Sequence, residues 1–255
     1  MGTRTTPPDW DAATYDRISD MQFEWGRSFL ERVELRGDEV ALDAGCGTGR
    51  ITRLLAERLP RGRVMAADAS PSMIERAREN LGPEVTLIVS DLLDLELEHE
   101  LDLVFSTATF HWILDQDRLF AVLHGALRPG GRLAAQCGGS GNVEEMRRAV
   151  ELAAREMPFA PHLRGIEHPW VFPSPVEATG RLERAGFVDV RCTLEEKLVD
   201  FDDPREWSRT VGLPVHLSRL PAELHEPFID ATLSRIGDPG KQRFVRLNMW
   251  ARRAE

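Results

Sequence analysis

The chain has 255 residues and a formal net charge of −10 at neutral pH. That charge, with both signs spread along the chain, argues against nucleic acid as a partner, because a phosphate backbone is bound by clustered Lys and Arg. The apolar runs are far shorter than the ~20 residues needed to cross a bilayer. The opening MGTRTTPPDW also lacks the apolar core of a signal peptide. We therefore predict a cytoplasmic protein with no membrane partner.

The cysteines and histidines indicate neither disulfides nor a metal. Cys46, Cys137 and Cys192 are odd in number and far apart, so they form no disulfide framework and no CxxC motif. The histidines show no metal-ligand spacing. The sequence therefore predicts a reducing compartment and no bound metal.

Short apolar runs alternate with segments of helical period between residues 40 and 192, the pattern of a doubly wound, mostly parallel sheet with helices on both faces. One helix carries apolar residues on one face in RITRLLAERL, and another begins with Ser70 as N-cap before Pro71. A third ends at the RPGG turn. The predicted strands are EVALDA, RVMAAD, VTLIVS, LDLVFS, RLAAQC, FVDVRCTL and RFVRLNMWARR.

Two regions fall outside this alternation, residues 142–180 and 201–240. Insertions of this kind often form lids over a site at the carboxyl edge of a sheet. We predict one domain over residues 1–255. Its core spans about residues 30–137 and 177–255, and its lid or substrate elements span about residues 1–30, 142–176 and 201–240.

The glycine-rich stretch VALDAGCGTGR, residues 40–50, follows the first strand. It is not a Walker loop, because no lysine and hydroxyl pair follows the glycines. A dinucleotide fingerprint would require a small residue where Arg50 stands, and Gly49 comes one place early. Asp43 would repel a pyrophosphate. The carboxylate suits a cationic ligand instead, such as a sulfonium that carries an ammonium group.

Further acids follow the next two strands. Asp68 ends the second strand, where a carboxylate can accept hydrogen bonds from both hydroxyls of a ribose. Asp91 follows the third strand, where it can accept from an adenine amino group while Leu92 covers the ring. The three acids together describe a ligand made of an amino acid, a ribose and an adenine.

These motifs resemble the class I S-adenosyl-L-methionine-dependent methyltransferases. The resemblance rests on LDAGCGTGR, AADASPSMIERAR, VSDLLDL, LDLVFSTATFHW and ALRPGGRL. It implies a seven-stranded sheet with a reversed final hairpin and S-adenosyl-L-methionine (SAM) as cofactor. The implied contacts to the methionine moiety are Asp43, Gly45, Gly47 and Gly49, with Cys46 and Ser106 beside them. Those to the ribose and adenine are Asp68, Ala69, Met73, Asp91 and Leu92.

The methyl acceptor is indicated by two other segments. STATFHW, which ends at Trp112, and the N-terminal stretch with Tyr15 and Gln22 resemble the subgroup of trans-aconitate and juvenile-hormone acid methyltransferases. Both kinds of enzyme methylate carboxylates. The resemblance implies that Gln22 and Trp112 fix the acceptor and that Tyr15 closes over the methyl donor. Trans-aconitate enzymes usually have glutamine where His111 stands.

The chemistry leaves alternatives open. A carboxylate is ionised above pH ~4 and needs no strong base, so methyl ester formation would depend on proximity and in-line alignment. A phenol or alcohol acceptor would instead use His111 as general base. A SAM-binding protein without turnover and a nicotinamide oxidoreductase are the rival classes. The expected partner is a small-molecule acceptor, and the protein is expected to be a monomer or a homodimer.

Overall fold

The structure is a computed structural model that describes residues 20–97, 99–165 and 170–255. The strands, in chain order, are β1 (Val40–Ala44), β2 (Arg63–Asp68), β3 (Val85–Val89), β4 (Leu101–Thr107), β5 (Leu127–Gly138), β6 (Phe187–Asp200) and β7 (Lys241–Arg253). Within the described residues the α-helices are α1 (Asp20–Glu31), α2 (Arg50–Glu57), α3 (Pro71–Asn80), α4 (Gln116–Ala126), α5 (Glu144–Ala154), α6 (Ala160–Leu163), α7 (Pro175–Arg184), α8 (Pro204–Trp207), α9 (Pro214–Leu217) and α10 (His225–Leu233).

The strands form one seven-stranded sheet with the order β3-β2-β1-β4-β5-β7-β6. The first five strands pair in parallel, and β7 runs antiparallel to β5. Both the Rossmann-like fold class and the reversed final hairpin are therefore confirmed. The order of the strands also reverses at β1 and β4, and ligands of open α/β sheets bind at such a switch point.

Alternating side chains of the sheet enter two apolar layers, as the pleat of a strand requires. Ala41 and Phe105 pack with Phe29 of α1 and Leu55 of α2 in one layer. In the other layer Leu42 of β1 and odd-numbered residues of β5 pack with α4 and α7. Helices thus cover both faces, and the polar ends of the parallel strands meet at one edge.

The described chain divides into two compact units. The larger holds residues 20–140, 171–195 and 246–255, with most of the sheet, and the smaller holds residues 141–165, 170 and 196–245. Inside the smaller unit α5 packs against α10, and the Phe159 and Phe228 rings meet edge to face with centroids 5.1 Å apart. The smaller unit includes most of the two regions that the sequence sets apart. That the chain forms a single domain with lid elements stays a prediction.

The helices in the described ranges are too short or too polar to cross a lipid bilayer. In the same ranges no three His, Cys, Asp or Glu side chains are grouped so that they could hold a metal ion. The cytoplasmic location and the absence of a metal stay predictions.

Candidate functional site

The glycine loop connects β1 to α2 and lies on the carboxyl end of β2. The N–H groups of Gly45 and Cys46 both donate to the carbonyl of Ala67, over 2.8 and 3.0 Å. Gly45 has φ +83°, and a Cβ there would overlap the side chain of Thr109. Only glycine fits this position, because a side chain would be both strained and in collision. The loop is therefore held in one conformation beside the predicted ribose-binding acid.

Asp68 is tied to this loop through its carboxylate. Oδ2 accepts from the N–H of Gly47 and Oδ1 from the N–H of Ser70, each over 2.9 Å. Burial raises the pKa of Asp68, and the backbone donors oppose that rise. A carboxylate has about four lone-pair positions, so both oxygens can still accept further hydrogen bonds. The two hydroxyls of a ribose could donate hydrogen bonds to these remaining lone pairs.

Asp43 is the most buried acid of the site, with 2% of its surface exposed. Its Oδ2 accepts from the hydroxyl of Thr52 over 2.7 Å. Burial is the main cause that raises the pKa of Asp43 to about 7; the hydrogen bond from Thr52 opposes the rise and the charge of Asp68 adds to it. A cation beside such a carboxylate would favour its ionised form.

A Cβ at Gly47 would meet no atom within 4 Å, so space is open next to the loop. The loop backbone can therefore be approached closely by a ligand. The buried acid and the open loop together fit the amino-acid end of SAM.

The other predicted cofactor residues lie around these acids. The N–H of Ser90 donates to the carbonyl of Asp68 over 2.9 Å, which brings the end of β3 to that of β2. Asp91 accepts from the N–H of Leu93 over 2.9 Å, and Leu92 is buried. Met73 is also buried and its N–H meets the Ser70 hydroxyl at 3.3 Å.

Three of the predicted contact residues differ in what their side chains can offer. Ala69 is exposed. The hydroxyl of Ser106 donates to the Ala44 carbonyl over 2.6 Å, which leaves only its lone pairs for a ligand. Burial raises the pKa of the Cys46 thiol, so that side chain is a neutral packing group. The part that each takes in cofactor binding stays a prediction.

His111 and Trp112 lie in a short helical turn after β4, with ring centroids 5.4 Å apart. His111 is 8% exposed, and its Nδ1 accepts from the N–H of Gly138 over 3.3 Å. Burial, with a smaller contribution from the charge of Arg246, lowers the pKa of His111 to about 3. The imidazole is therefore neutral at physiological pH.

Gln22 lies on α1, the helix whose buried face includes Trp25 and Phe29. Its Oε1 is buried and has no hydrogen-bond partner among the described residues. Tyr15 lies outside the described residues. The predicted acceptor roles of Gln22, Trp112 and His111 stay predictions.

Two polar residues at the same edge were missed from the sequence. Arg246 of β7 is the Cα partner of Gly138 and is 4% exposed, with Cζ 5.0 Å from the centre of the Trp25 ring. Gln136 of β5 is 3% exposed. A signal for Arg246 was present in the sequence, because Arg246, Asn248 and Trp250 alternate with three apolar residues in β7.

Comparison with known proteins gives consistent matches. A "Methyltransferase domain" family model matches residues 41–131. The trans-aconitate 2-methyltransferase of Methylobacterium nodulans is 34% identical, over 96% of this chain and 98% of that protein. The enzyme of the same name from Methylobacterium radiotolerans is 31% identical, over 88% and 87%.

Among solved structures, the fold is similar to Haemonchus contortus phosphoethanolamine N-methyltransferase 2 in complex with SAM. The TM-score is 0.63 at 20% identity, over 99% of this chain and 59% of that one. At this identity the similarity concerns the fold alone. Because the identity to the curated relatives extends over nearly their whole length, the chain belongs to the class I S-adenosyl-L-methionine-dependent methyltransferases.

Proposed function

We propose that this methyltransferase forms a methyl ester on the carboxylate of a small-molecule acid. Two features support the proposal. The relatives that match over nearly their whole length are named for trans-aconitate, which is a carboxylate. The net charge of −10 also argues against a nucleic-acid acceptor.

The hydrogen bond from the N–H of Gly138 to Nδ1 of His111 is the observation that carries the proposal. Because Nδ1 accepts the N–H of Gly138, the single proton of the neutral ring must be on Nε2. Nε2–H is a hydrogen-bond donor and has no free lone pair. A donor of this kind can orient a carboxylate oxygen, whereas a general base for a phenol or alcohol would need a free lone pair at the same atom.

The cofactor supplies an electrophilic methyl group when it is bound. An ionised carboxylate can accept that group without losing a proton first, so this chain has to bind, orient and desolvate the acceptor. We assign cofactor binding to the loop from Asp43 to Gly49 and to the acids Asp68 and Asp91, with Met73 and Leu92 beside the adenine. We assign orientation of the acceptor to His111, Trp112 and Gln22.

Replacing His111 by glutamine tests the assignment. A glutamine amide can still donate a hydrogen bond, so His111→Gln is expected to keep kcat/KM for acids within about tenfold of wild type. A loss of ~10²-fold or more, as when a general base is removed, would favour a hydroxyl acceptor. The matched control is His162→Gln, because His162 is exposed. It should have wild-type activity.

If calorimetry shows SAM binding but no acid in a broad panel gains label, the proposed carboxylate acceptor is wrong. The cytoplasmic location and the oligomeric state stay predictions.

A further inference from the structure

The side-chain amide of Gln136 is buried, and only its nitrogen has a hydrogen-bond partner among the described residues. Its Nε2 donates to Oδ1 of Asn248 over 2.7 Å. Its Oε1 has no hydrogen-bond partner among the described residues, although the side chain is only 3% exposed. Buried polar groups in native proteins are nearly always paired. A donor for this oxygen must therefore come from outside the described residues.

Contacts that begin at a half-exposed residue on the protein surface set the orientation of the Gln136 amide. Nδ2 of Asn248 lies 3.5 Å from Oε2 of Glu195, and Arg32 holds the same carboxylate oxygen at 3.2 Å. A carboxylate only accepts hydrogen bonds, so Asn248 must turn its NH₂ toward Glu195 and its oxygen toward Gln136. Gln136 must then present its own NH₂ to Asn248. The free end of Gln136 is consequently an oxygen.

Gln136 lies on the same face of the sheet as Arg246, at the edge where the chain reaches His111. It pairs with Thr107 of β4, and Gly138 two residues further along β5 contacts His111. The covering helix α1 carries Gln22, whose Oε1 is also buried without a partner among the described residues. Two unsatisfied acceptor oxygens thus belong to the strand and the helix that adjoin the predicted acceptor site.

The sheet register separates Gln136 from the cofactor acids. Asp43 pairs with Phe105, and Phe105 pairs with Ala134. Gln136 therefore lies two strands across and two residues beyond Asp43. Strand spacing and rise place their Cα atoms about 12 Å apart. Side chains stand roughly perpendicular to a sheet, so an ammonium bound at Asp43 lies beyond hydrogen-bond reach of Oε1 of Gln136. The methyl acceptor is then the ligand that can supply the donor.

We propose that Oε1 of Gln136 accepts a hydrogen bond from a hydroxyl or amino group of the methyl acceptor. The acceptor is then an acid that carries such a donor in addition to its carboxylate. Glu195 is a positioning residue, because it fixes the direction of the Gln136 amide through Asn248. This inference rests on the proposed carboxylate methylation.

Matched acids test the inference. The pairs are malate and succinate, 3-hydroxybutyrate and butyrate, and 4-hydroxyphenylacetate and phenylacetate, with aspartate added to separate an amine from a hydroxyl. Wild type is expected to prefer the member with the donor by about 10- to 100-fold in kcat/KM, because the acid without it leaves Oε1 unpaired. Gln136→Met should abolish that preference while leaving SAM affinity unchanged.

A surface variant tests the contacts from Glu195 through Asn248 to Gln136 without altering the buried Gln136 amide. Glu195 is 40% exposed, so Glu195→Gln should fold normally. It should still lower the preference for the hydroxy or amino acid, because both amides can then turn. The control Glu196→Gln changes the next residue of β6, whose partner is Arg243. This control should keep the wild-type preference.

The outcomes separate the two claims. If acids are methylated but the donor-bearing members are not preferred, or if neither Gln136→Met nor Glu195→Gln changes the preference, the inference is wrong and water alone satisfies Oε1. If no acid in a broad panel is methylated, the proposed function fails and the inference fails with it.

Discussion

Asp68 has two tasks at once in this site. It holds the N–H groups of Gly47 and Ser70, and it keeps lone pairs available for a ribose. The hydrogen bonds of a charged acceptor are stronger than those of a neutral one. Loss of this carboxylate should therefore lower the affinity for the cofactor, and that affinity can be measured directly.

Asp68→Ala is expected to weaken SAM binding by about 1–3 kcal/mol, or roughly 5- to 150-fold in Kd, as charge-assisted hydrogen bonds are lost. Titration calorimetry of the purified variant measures this change. The control is Glu75→Ala, an exposed acid on α3, which should bind SAM as wild type does. An unchanged Kd for Asp68→Ala would remove Asp68 from the cofactor site.

Single residues show what the sequence could and could not predict about the site. Asp43 and Asp68 were found because they end successive strands, and the ends of parallel strands meet at one edge. The tautomer of His111 depends on Gly138, 27 residues away, and the direction of the Gln136 amide depends on Asn248, 112 residues away. Such contacts leave no local pattern, so these properties could be derived only from the fold.

At the scale of elements, two of the three glycines in the turn from β1 to α2 have different constraints. Both Gly45 and Gly47 have positive φ, +83° and +54°. A Cβ at Gly45 would overlap Thr109, whereas a Cβ at Gly47 would meet open space. Alanine substitutions at the two positions therefore separate the effect of backbone strain from that of steric collision.

Gly47→Ala is expected to lower the free energy of unfolding by about 1 kcal/mol, through backbone strain alone. Gly45→Ala should lower it by about 1–3 kcal/mol more, because the methyl group also overpacks the turn. Urea unfolding of both variants measures the difference. Equal destabilisation would show that Thr109 does not constrain the loop.

The regular elements were predictable where local signals are strong. Ser70 caps α3 and Pro71 opens it, as the sequence predicts. Strand β6 continues to Asp200, beyond the predicted end at Leu194. The extension carries Glu195, Glu196 and Lys197, and such a run of charged residues does not predict a strand. Pairing with the neighbouring strand uses only backbone groups, so these side chains do not prevent it.

At the scale of the whole molecule, the sheet was predictable and the smaller unit was not. Alternating strand and helix patterns predict the order of elements in an α/β core. The smaller unit combines short helices such as α6, α8 and α9 with irregular segments. Short helices have little intrinsic periodicity or stability, so their arrangement depends on packing that the sequence does not display.

The chemical stability of the methylated product is the most direct test of carboxylate methylation. The purified protein is incubated with SAM labelled in its methyl group and with a panel of acids and phenols, and the products are treated with mild alkali. A methyl ester hydrolyses to volatile labelled methanol, whereas a methyl ether or an N-methyl group keeps its label. Methylation of a carboxylate predicts label that alkali releases as methanol. Label that resists alkali would contradict a carboxylate acceptor.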